Sequence, residues 1–439
     1  MKSRIFICLL MTILVTSMIG CQPQSTTAAQ PTAVVASPTL AAAQTVNLTL
    51  WMLGSTDQTT FLKKWIPVFE GKNPGVKVDY KVLDWTSGAT QLLTAFAGGV
   101  GPDVFMLYSS SIPQFADNGA YAPLDTYFNK SDFSPISMNL ATWKGHLYAI
   151  PLDLHLHTFY VRSDYLTEAG ITKAPETWDE LVTAAKAMTK YDSAGNITRS
   201  GLWIIVNHPY KTIAQWQDLF MSAGGKFFSA DGCTSTFNSQ AGVDAAQLIS
   251  DLLNVDKVDT AGAITVDATD FAQGKVAMEF SNLATRGVPQ TFPDFVKQIQ
   301  ILPIPHQGNN IGLGQTGGNY IGVSGKTKNT SQAVALVKYL TTDTGPLYDY
   351  SLVEGGAIAY TPAMTDAYFA MDPFVQRWVT LQDKNGGAIP KTPQWNQIAT
   401  EITTALDKIY VNKADAKTAL DAAAKNVDAL LKQYGCAEN

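Results

Sequence analysis

Charge is scarce in this chain of 439 residues: Asp, Glu, Lys and Arg together make up 15% of it. The basic sign is the scarcer, with 31 Lys and Arg against 37 Asp and Glu and a net charge of −6. Nucleic-acid binding needs a basic face, so that class is excluded. Long apolar runs are missing as well. The greasiest stretch, Ile5 to Ile19, is broken by Thr12, Thr16 and Ser17 and is short for a membrane span. No G-x-S-x-G or Walker pattern occurs, and no internal repeat of fixed period. "GLGQTG", Gly312 to Gly317, has dinucleotide-loop spacing but leads into a strand and not a helix, so that reading fails its own context. Cysteine is limited to Cys8, Cys21, Cys233 and Cys436.

The front of the chain is a processing segment. Lys2 and Arg4 supply a basic start, a short apolar region follows, and Gly20 precedes Cys21, the layout of a secretory signal. Met18-Ile19-Gly20-Cys21 resembles the lipobox of bacterial lipoproteins, with Met18 where Leu is usual. That resemblance implies cleavage after residue 20, acylation of Cys21 and a lipid anchor on the outer face of the cell membrane or in the periplasm. An ordinary signal peptide or an uncleaved anchor is the alternative. Loss of residues 1–20 removes two basic residues and takes the net charge to −8. Residues 21–45 are mostly Ser, Thr, Ala, Gln and Pro and carry no charge; they bury little and are expected to stay a disordered tether.

A body of about 390 residues is too long for one ordinary core and suggests two domains. "VNLTLWML" alternates as a strand, "TTFLKKWIPVFEGKNPG" has helical spacing, "VKVDYKVLDW" is a strand, "GATQLLTAFAGG" a helix and "PDVFMLY" an apolar strand. Alternation of this kind predicts an α/β fold with a parallel sheet. Ligands then sit at strand carboxyl ends, which marks Trp51 to Asp57, Asp84-Trp85 and Tyr108-Ser109-Ser110. Further on, "GLWIIV" reads as a buried strand, Thr177 as the cap of the helix beginning at Trp178, and Ala399 to Tyr434 as helical up to Gly435.

Six segments in order carry a resemblance. They are "LTLWML" with "NPGVKVDY", "GPDVFMLYSSSIPQFADNGAYAPLD", "LYAIPLDLHLHTFYVRSDYLTEAGI" with "PETWDEL", "FAQGKVAMEFSN", "LPIP…GGNYIGVS…QAVALVKYL" and "GGAIAYTP". Together they resemble the family-1 extracellular solute-binding proteins of ABC importers, the group that includes maltose-binding protein. The resemblance implies two α/β lobes around a ligand cleft: 46–153 and 306–344 in one, 154–305 and 345–439 in the other. Crossings are expected near Leu154 to Thr158 and Ile301 to Pro305, with a return to the second lobe around Gly345. It further implies a monomer that binds a carbohydrate without cofactor or catalysis and hands it to permease subunits by hinge closure.

Sugars present hydroxyl pairs at their edges and C–H faces above and below, which call for carboxylates and amides at the first and aromatic rings at the second. The candidates are Asp57, Trp85, Tyr108, Ser109, Ser110, Asp153, His208, Tyr210, Asn282, Gly318, Asn319, Tyr320 and Trp395. Asp153 is weighed against a structural acid capping a turn. His208-Pro209-Tyr210 stands where maltose-binding protein has an acid, a proline and a tyrosine. His155-x-His157 offers two imidazoles on one strand face, but no third ligand of usable spacing, so a metal is not expected. Two rivals remain: a phosphorylated polyol or peptide in the same fold, and a glycan-acting enzyme drawing on two of Asp57, Asp84, Asp153 and Glu279. Cys233 and Cys436, the thiols left after Cys8 and Cys21, either pair in an oxidising compartment or stay separate.

If Cys21 carries the lipid, Cys21→Ala will leave the membrane fraction or accumulate as an unprocessed precursor. Fractionation and mass analysis of the mature N-terminus check this; wholly soluble wild-type protein without lipid mass refutes it.

Overall fold

The structure is a computed structural model that describes residues 45–208, 210–261, 267–282, 294–371 and 375–438. The signal, Cys21, most of the expected tether, and Pro209 lie outside these residues. Among the described residues, no helix is long and apolar enough to cross a membrane.

The first lobe is built as the alternation predicts. Strand β1 (Val46–Leu53) pairs in parallel with β2 (Val76–Leu83) and β3 (Val104–Tyr108). Helices α1 (Thr56–Lys72) and α2 (Gly88–Ala97) supply the crossovers. The α1 stripe Phe61, Leu62, Ile66 and Phe69 is buried, and a capping box between Ser55 and Gln58 fixes where the helix starts. Two antiparallel strands complete the sheet in the order β2-β1-β3-β10-β4: β10 (Asn319–Val323) beside β3, and β4 (Ile150–Pro151) beside β10. Asn319 and Tyr108 are therefore register partners at one end of the sheet.

The second lobe departs from a parallel plan. Its sheet has three antiparallel strands, with β6 (Thr158–Arg162) between β7 (Met278–Ser281) and β8 (Ile299–Leu302). Helices α3 (Trp178–Met188), α4 (Lys211–Ser222), α5 (Gln240–Asn254), α9 (Trp395–Tyr410) and α10 (Ala416–Tyr434) close one apolar cluster over it. A second cluster, on helix α8 (Val375–Asn385), contains Tyr160, Trp203 and Trp378. Thr177 caps α3 with Glu180 completing its capping box, and the Trp178 indole N–H donates to the Pro305 carbonyl, 3.1 Å.

Three expectations need correction. "GLWIIV" is buried but forms no strand ladder: Trp203 N–H still donates to the Met278 carbonyl of β7, but the next two donors go to side chains, Ile204 N–H to the Asp259 carboxylate and Ile205 N–H to Gln215 Oε1. The C-terminal helical stretch is two helices, broken where Lys413 has φ 56° and restarted by an Asp415 cap. Packing also moves the expected lobe boundaries. His306 still bonds to the second lobe at Glu176 and Trp178, and Gln315 N–H donates to Asp218, so the chain leaves that lobe later than Ile301 to Pro305. It does so along β9 (Gly314–Gly317), which pairs with β5 (His155–Leu156) and β11 (Gly386–Ala388) in a small sheet. Helix α6 (Thr330–Thr342) leads into α7 (Thr344–Glu354), which packs on α1: Tyr350 meets Phe61 edge-on at 5.1 Å and Trp65 Nε1 donates to Asp349, 2.7 Å. Leu347 and Tyr348 of the same helix pack with Tyr160 and Trp378 of the second lobe, so α7 touches both lobes.

Cys233 and Cys436 form a disulfide, with Cα atoms 4.5 Å apart. The bond fixes a C-terminal tail in which Ala437 N–H donates to Gly232 and Glu438 exchanges backbone bonds with Lys391. Free-thiol titration of denatured, unreduced protein is expected to find neither cysteine reactive. The Cys233→Ser, Cys436→Ser double variant should lose about 2–4 kcal/mol of stability in denaturant unfolding. Two titratable thiols at these positions would disprove the pairing.

Candidate functional site

The start of α1, the start of β10, the β4–β5 crossing and the end of α7 bring polar side chains to one place. Asp153, fully buried, sits on the crossing. Its Oδ1 accepts the Asn319 backbone N–H at 2.7 Å; its Oδ2 faces Asn319 Nδ2 at 3.1 Å and His155 Nε2 at 3.0 Å. Asn319 Nδ2 also lies 3.4 Å from Glu354 Oε2, and Gln58 Nε2 donates to Glu354 Oε1. His155 Nδ1 is 3.1 Å from the Asn282 amide. Two lobes and the crossing thus share one hydrogen-bond network.

Burial sets the electrostatics. It disfavours a charged imidazole at His155, yet the Asp153 carboxylate and Glu354 overcome this and raise the pKa to about 9. Glu354 is pushed up to about 7, first by burial and then by Asp153, with His155 and the Asn319 and Gln58 amides pulling the other way. An imidazolium donates from both nitrogens, so in that state Asn282 meets Nδ1 with its carbonyl oxygen; in the neutral state its amide nitrogen donates.

An aromatic wall stands beside this network. The Trp85 and Tyr108 rings stack with centroids 5.6 Å apart, both partly exposed. The Tyr108 hydroxyl is pushed far up by burial and then by the negative charge of Glu354, Tyr210, Asp153 and Asp84. Tyr210 is 49% exposed on the second lobe. His208 does not present Nδ1 outward: it accepts the N–H groups of Tyr210 and Lys211 at 3.2 and 3.1 Å and so caps α4.

Other sequence candidates are placed differently. Asp57 is exposed in the first turn of α1, while its neighbour Gln58 is buried in the network. Ser109 is buried, with its backbone N–H on the Gly318 carbonyl; Ser110 is half-buried beside it. Gly318 is needed for close approach, since a Cβ there would come within 2.5 Å of the Asp153 carbonyl oxygen. Tyr320 belongs to the first lobe's core, where its hydroxyl donates to Ser137 O at 3.2 Å, so it is not a cleft wall. Trp395 is also core, edge-on to Phe227 at 5.5 Å in the second lobe. Alternation along β10 explains the first: Asn319 faces the network, so Tyr320 faces the other side.

The histidine pair divides, since His157 Nδ1 turns to Asp218 Oδ2 at 2.9 Å and away from His155. Among the described residues one group has metal-like spacing, Asp153, His155 and Glu354, with ligand atoms within 4.8 Å of one another. Those atoms already have partners in Gln58, Asn282 and Asn319, which account for the cluster without an ion. Asp84 accepts from Thr86 and Ser87 in its own turn, Asp153 is braced, and Glu279 is fully buried on β7. Gln58 and Glu354 were missed. The serine two residues before Asp57 hinted at a helix start, and Glu354 directly precedes the glycines of "GGAIAYTP".

Residues 54–345 match the model of the bacterial extracellular solute-binding proteins, well over half of the chain. The chain belongs to that family. A Brucella abortus protein named as a binding protein is 24% identical over 391 residues, covering 83% of this chain and 88% of its own. The multiple sugar-binding protein of Streptococcus mutans is 27% identical over 332 residues, 72% of this chain and 76% of its own. The maltose-bound MalE3 of T. maritima superposes with a TM-score of 0.76 at 20% identity, across 88% of this chain and 100% of that one, a likeness of fold. This solute-binding protein therefore has the two-lobed architecture of its family.

Raised pKa values at both His155 and Glu354 mean that the folded state holds protons more tightly than the unfolded one. Their contribution is complete below the unfolded pKa values, and is lost as pH rises through about 7 and then about 9. The melting temperature of wild-type protein should therefore fall between pH 6 and 9. Glu354→Gln, neutral throughout, should fall less. Equal slopes in thermal melts at pH 6, 7, 8 and 9 would contradict this.

Proposed function

We propose that this solute-binding protein captures a carbohydrate between its lobes and presents it to the permease of an ABC importer. The observation that carries the reading is the stacked Trp85–Tyr108 pair standing beside a buried network of carboxylates and amides. Stacked rings suit the C–H face of a sugar, and amides suit its hydroxyls. The name of the Streptococcus mutans relative and the sugar bound in the T. maritima structure support the same class. Ligand touching both lobes stabilises their closed arrangement by its difference in affinity for the two states, which gives the permease a shape to sense.

On this reading Asp153 acts by orienting Asn319 and His155, and the contacts to sugar fall to Trp85, Tyr108 and Tyr210 with Asn282 and Asn319. The protein is a binder without catalysis or cofactor, works as a monomer, and is held at the membrane by lipid on Cys21. A lipid on Cys21 and a two-lobed body fit export to the outer face of the membrane.

A thermal-shift screen over mono- and oligosaccharides tests the class, because a ligand that binds only the folded form raises the melting point. With a sugar that binds, Trp85→Ala should weaken binding about tenfold in calorimetry while leaving the fold intact. No shift with any sugar would sink the reading; turnover of labelled oligosaccharide would make the protein an enzyme.

A further inference from the structure

Beside the network lies a pocket lined by Leu154, His155, Asn282, Gly356, Trp378 and Gln382, among others. Its walls come from three parts of the chain: the crossing, the segment after α7, and the second lobe. Gly355 ends α7 in the left-handed region at φ 70°, and Gly356 follows so close to the crossing that a Cβ there would stand 2.7 Å from the His155 ring. The pocket leaves room for about one water-sized group. A sugar ring or a phosphoryl group does not fit; a single hydroxyl does.

Gln382, on α8, is the feature the network does not explain. It is 6% exposed, and its Nε2 has no hydrogen-bond partner among the described residues. The Trp378 indole is no candidate, since its N–H already donates to the Tyr160 hydroxyl at 3.0 Å. Leaving an amide buried and unpaired is costly, and a polar guest that pairs with it removes that cost. A hydroxyl both donates and accepts, so it satisfies the amide whichever way the oxygen and nitrogen are turned.

We propose that Gln382 is a specificity-determining residue that receives one hydroxyl of the bound carbohydrate in this pocket. The proposal rests on the carbohydrate reading above and adds a residue from the second lobe that neither motif nor strand tip marks. A hydroxyl seated there touches the second lobe, the crossing and the segment after α7 at once. Discrimination follows from size and pairing: a sugar lacking that hydroxyl leaves the amide unpaired, and one with a bulkier substituent at the same carbon is refused.

The test uses the full chain with maltotriose, mannobiose, lactose and tagatose, and then the monodeoxy derivatives of whichever sugar binds tightest. Gln382→Leu removes the amide at similar size; Gln382→Met serves if the first variant does not fold. The variant is expected to melt at or above wild type without ligand, because an unpaired amide is gone, yet to bind the parent sugar about tenfold more weakly. Wild type should lose affinity for one deoxy derivative in particular, and the variant should treat that derivative and the parent alike. A purely structural Gln382 would lower the melting temperature and leave the ranking of deoxy sugars unchanged. Unchanged parent affinity, or an unchanged deoxy ranking, overturns the proposal while sugar binding stands. Failure of the wild type to bind any of the four sugars overturns it together with the carbohydrate reading.

Discussion

The rest of the site depends on the bidentate grip of the Asp153 carboxylate on Asn319, through a backbone N–H at 2.7 Å and a side-chain amide at 3.1 Å. Asp153 lies on the crossing into the second lobe, and Asn319 opens a strand of the first lobe's sheet. A fully buried carboxylate is tolerated only when its oxygens are satisfied, and here they are: Asn319 and His155 supply the donors. Removing either partner leaves a buried charge uncompensated, so the two segments are held to one geometry. That geometry aims the Asn319 amide at Glu354 and the His155 ring at Asn282.

Close approach of backbones makes the grip possible. Gly318 lets β10 come against the Asp153 carbonyl, and Gly356 lets the segment after α7 lie against the His155 ring. A methyl group at Gly318 would force two backbones apart, and one at Gly356 would force the main chain off the His155 ring. Leu154 and Ala357 exchange backbone hydrogen bonds at 2.7 and 2.9 Å, which ties the first crossing to the third. The crossings are thus joined to one another as well as to the lobes. Bending must be confined to where these bonds end, since a packed, bonded crossing does not deform continuously.

The first lobe was legible because period-2 and period-3.6 patterns alternate there cleanly, and each strand from β1 to β3 falls where the apolar residues place it. Thr177 and Glu180 announced their helix through capping chemistry that is local in sequence. What was hidden depends on partners far along the chain. "GLWIIV" has the composition of a buried strand, but Asp259 and Gln215 take donors that a ladder would use. No local signal says so. In the site, strand tips gave Trp85 and Tyr108, and the family resemblance gave Asp153, Asn282 and Asn319. Gln58, Glu354 and Gln382 escaped because each sits within a helix whose pattern is explained by packing alone. Tyr320 and Trp395 misled for the opposite reason: both are large aromatics of the kind that line ligand sites, and both are core.

The distribution of charge across the site bears on how a binder of neutral sugars avoids anions. Asp153 and Glu354 are both acidic, and the one cation among them, His155, is bonded inward to Asp153. A phosphorylated ligand entering beside Trp85 would meet net negative potential with no Arg or Lys in the described network to receive it. The raised pKa of Glu354 moderates that repulsion near neutrality without reversing it. Neutral hydroxyls face no such penalty, because they pair with amides, and the C–H face of a sugar brings no charge for the network to repel. On the carbohydrate reading, the same buried acids that hold the crossings in place also disfavour a charged ligand.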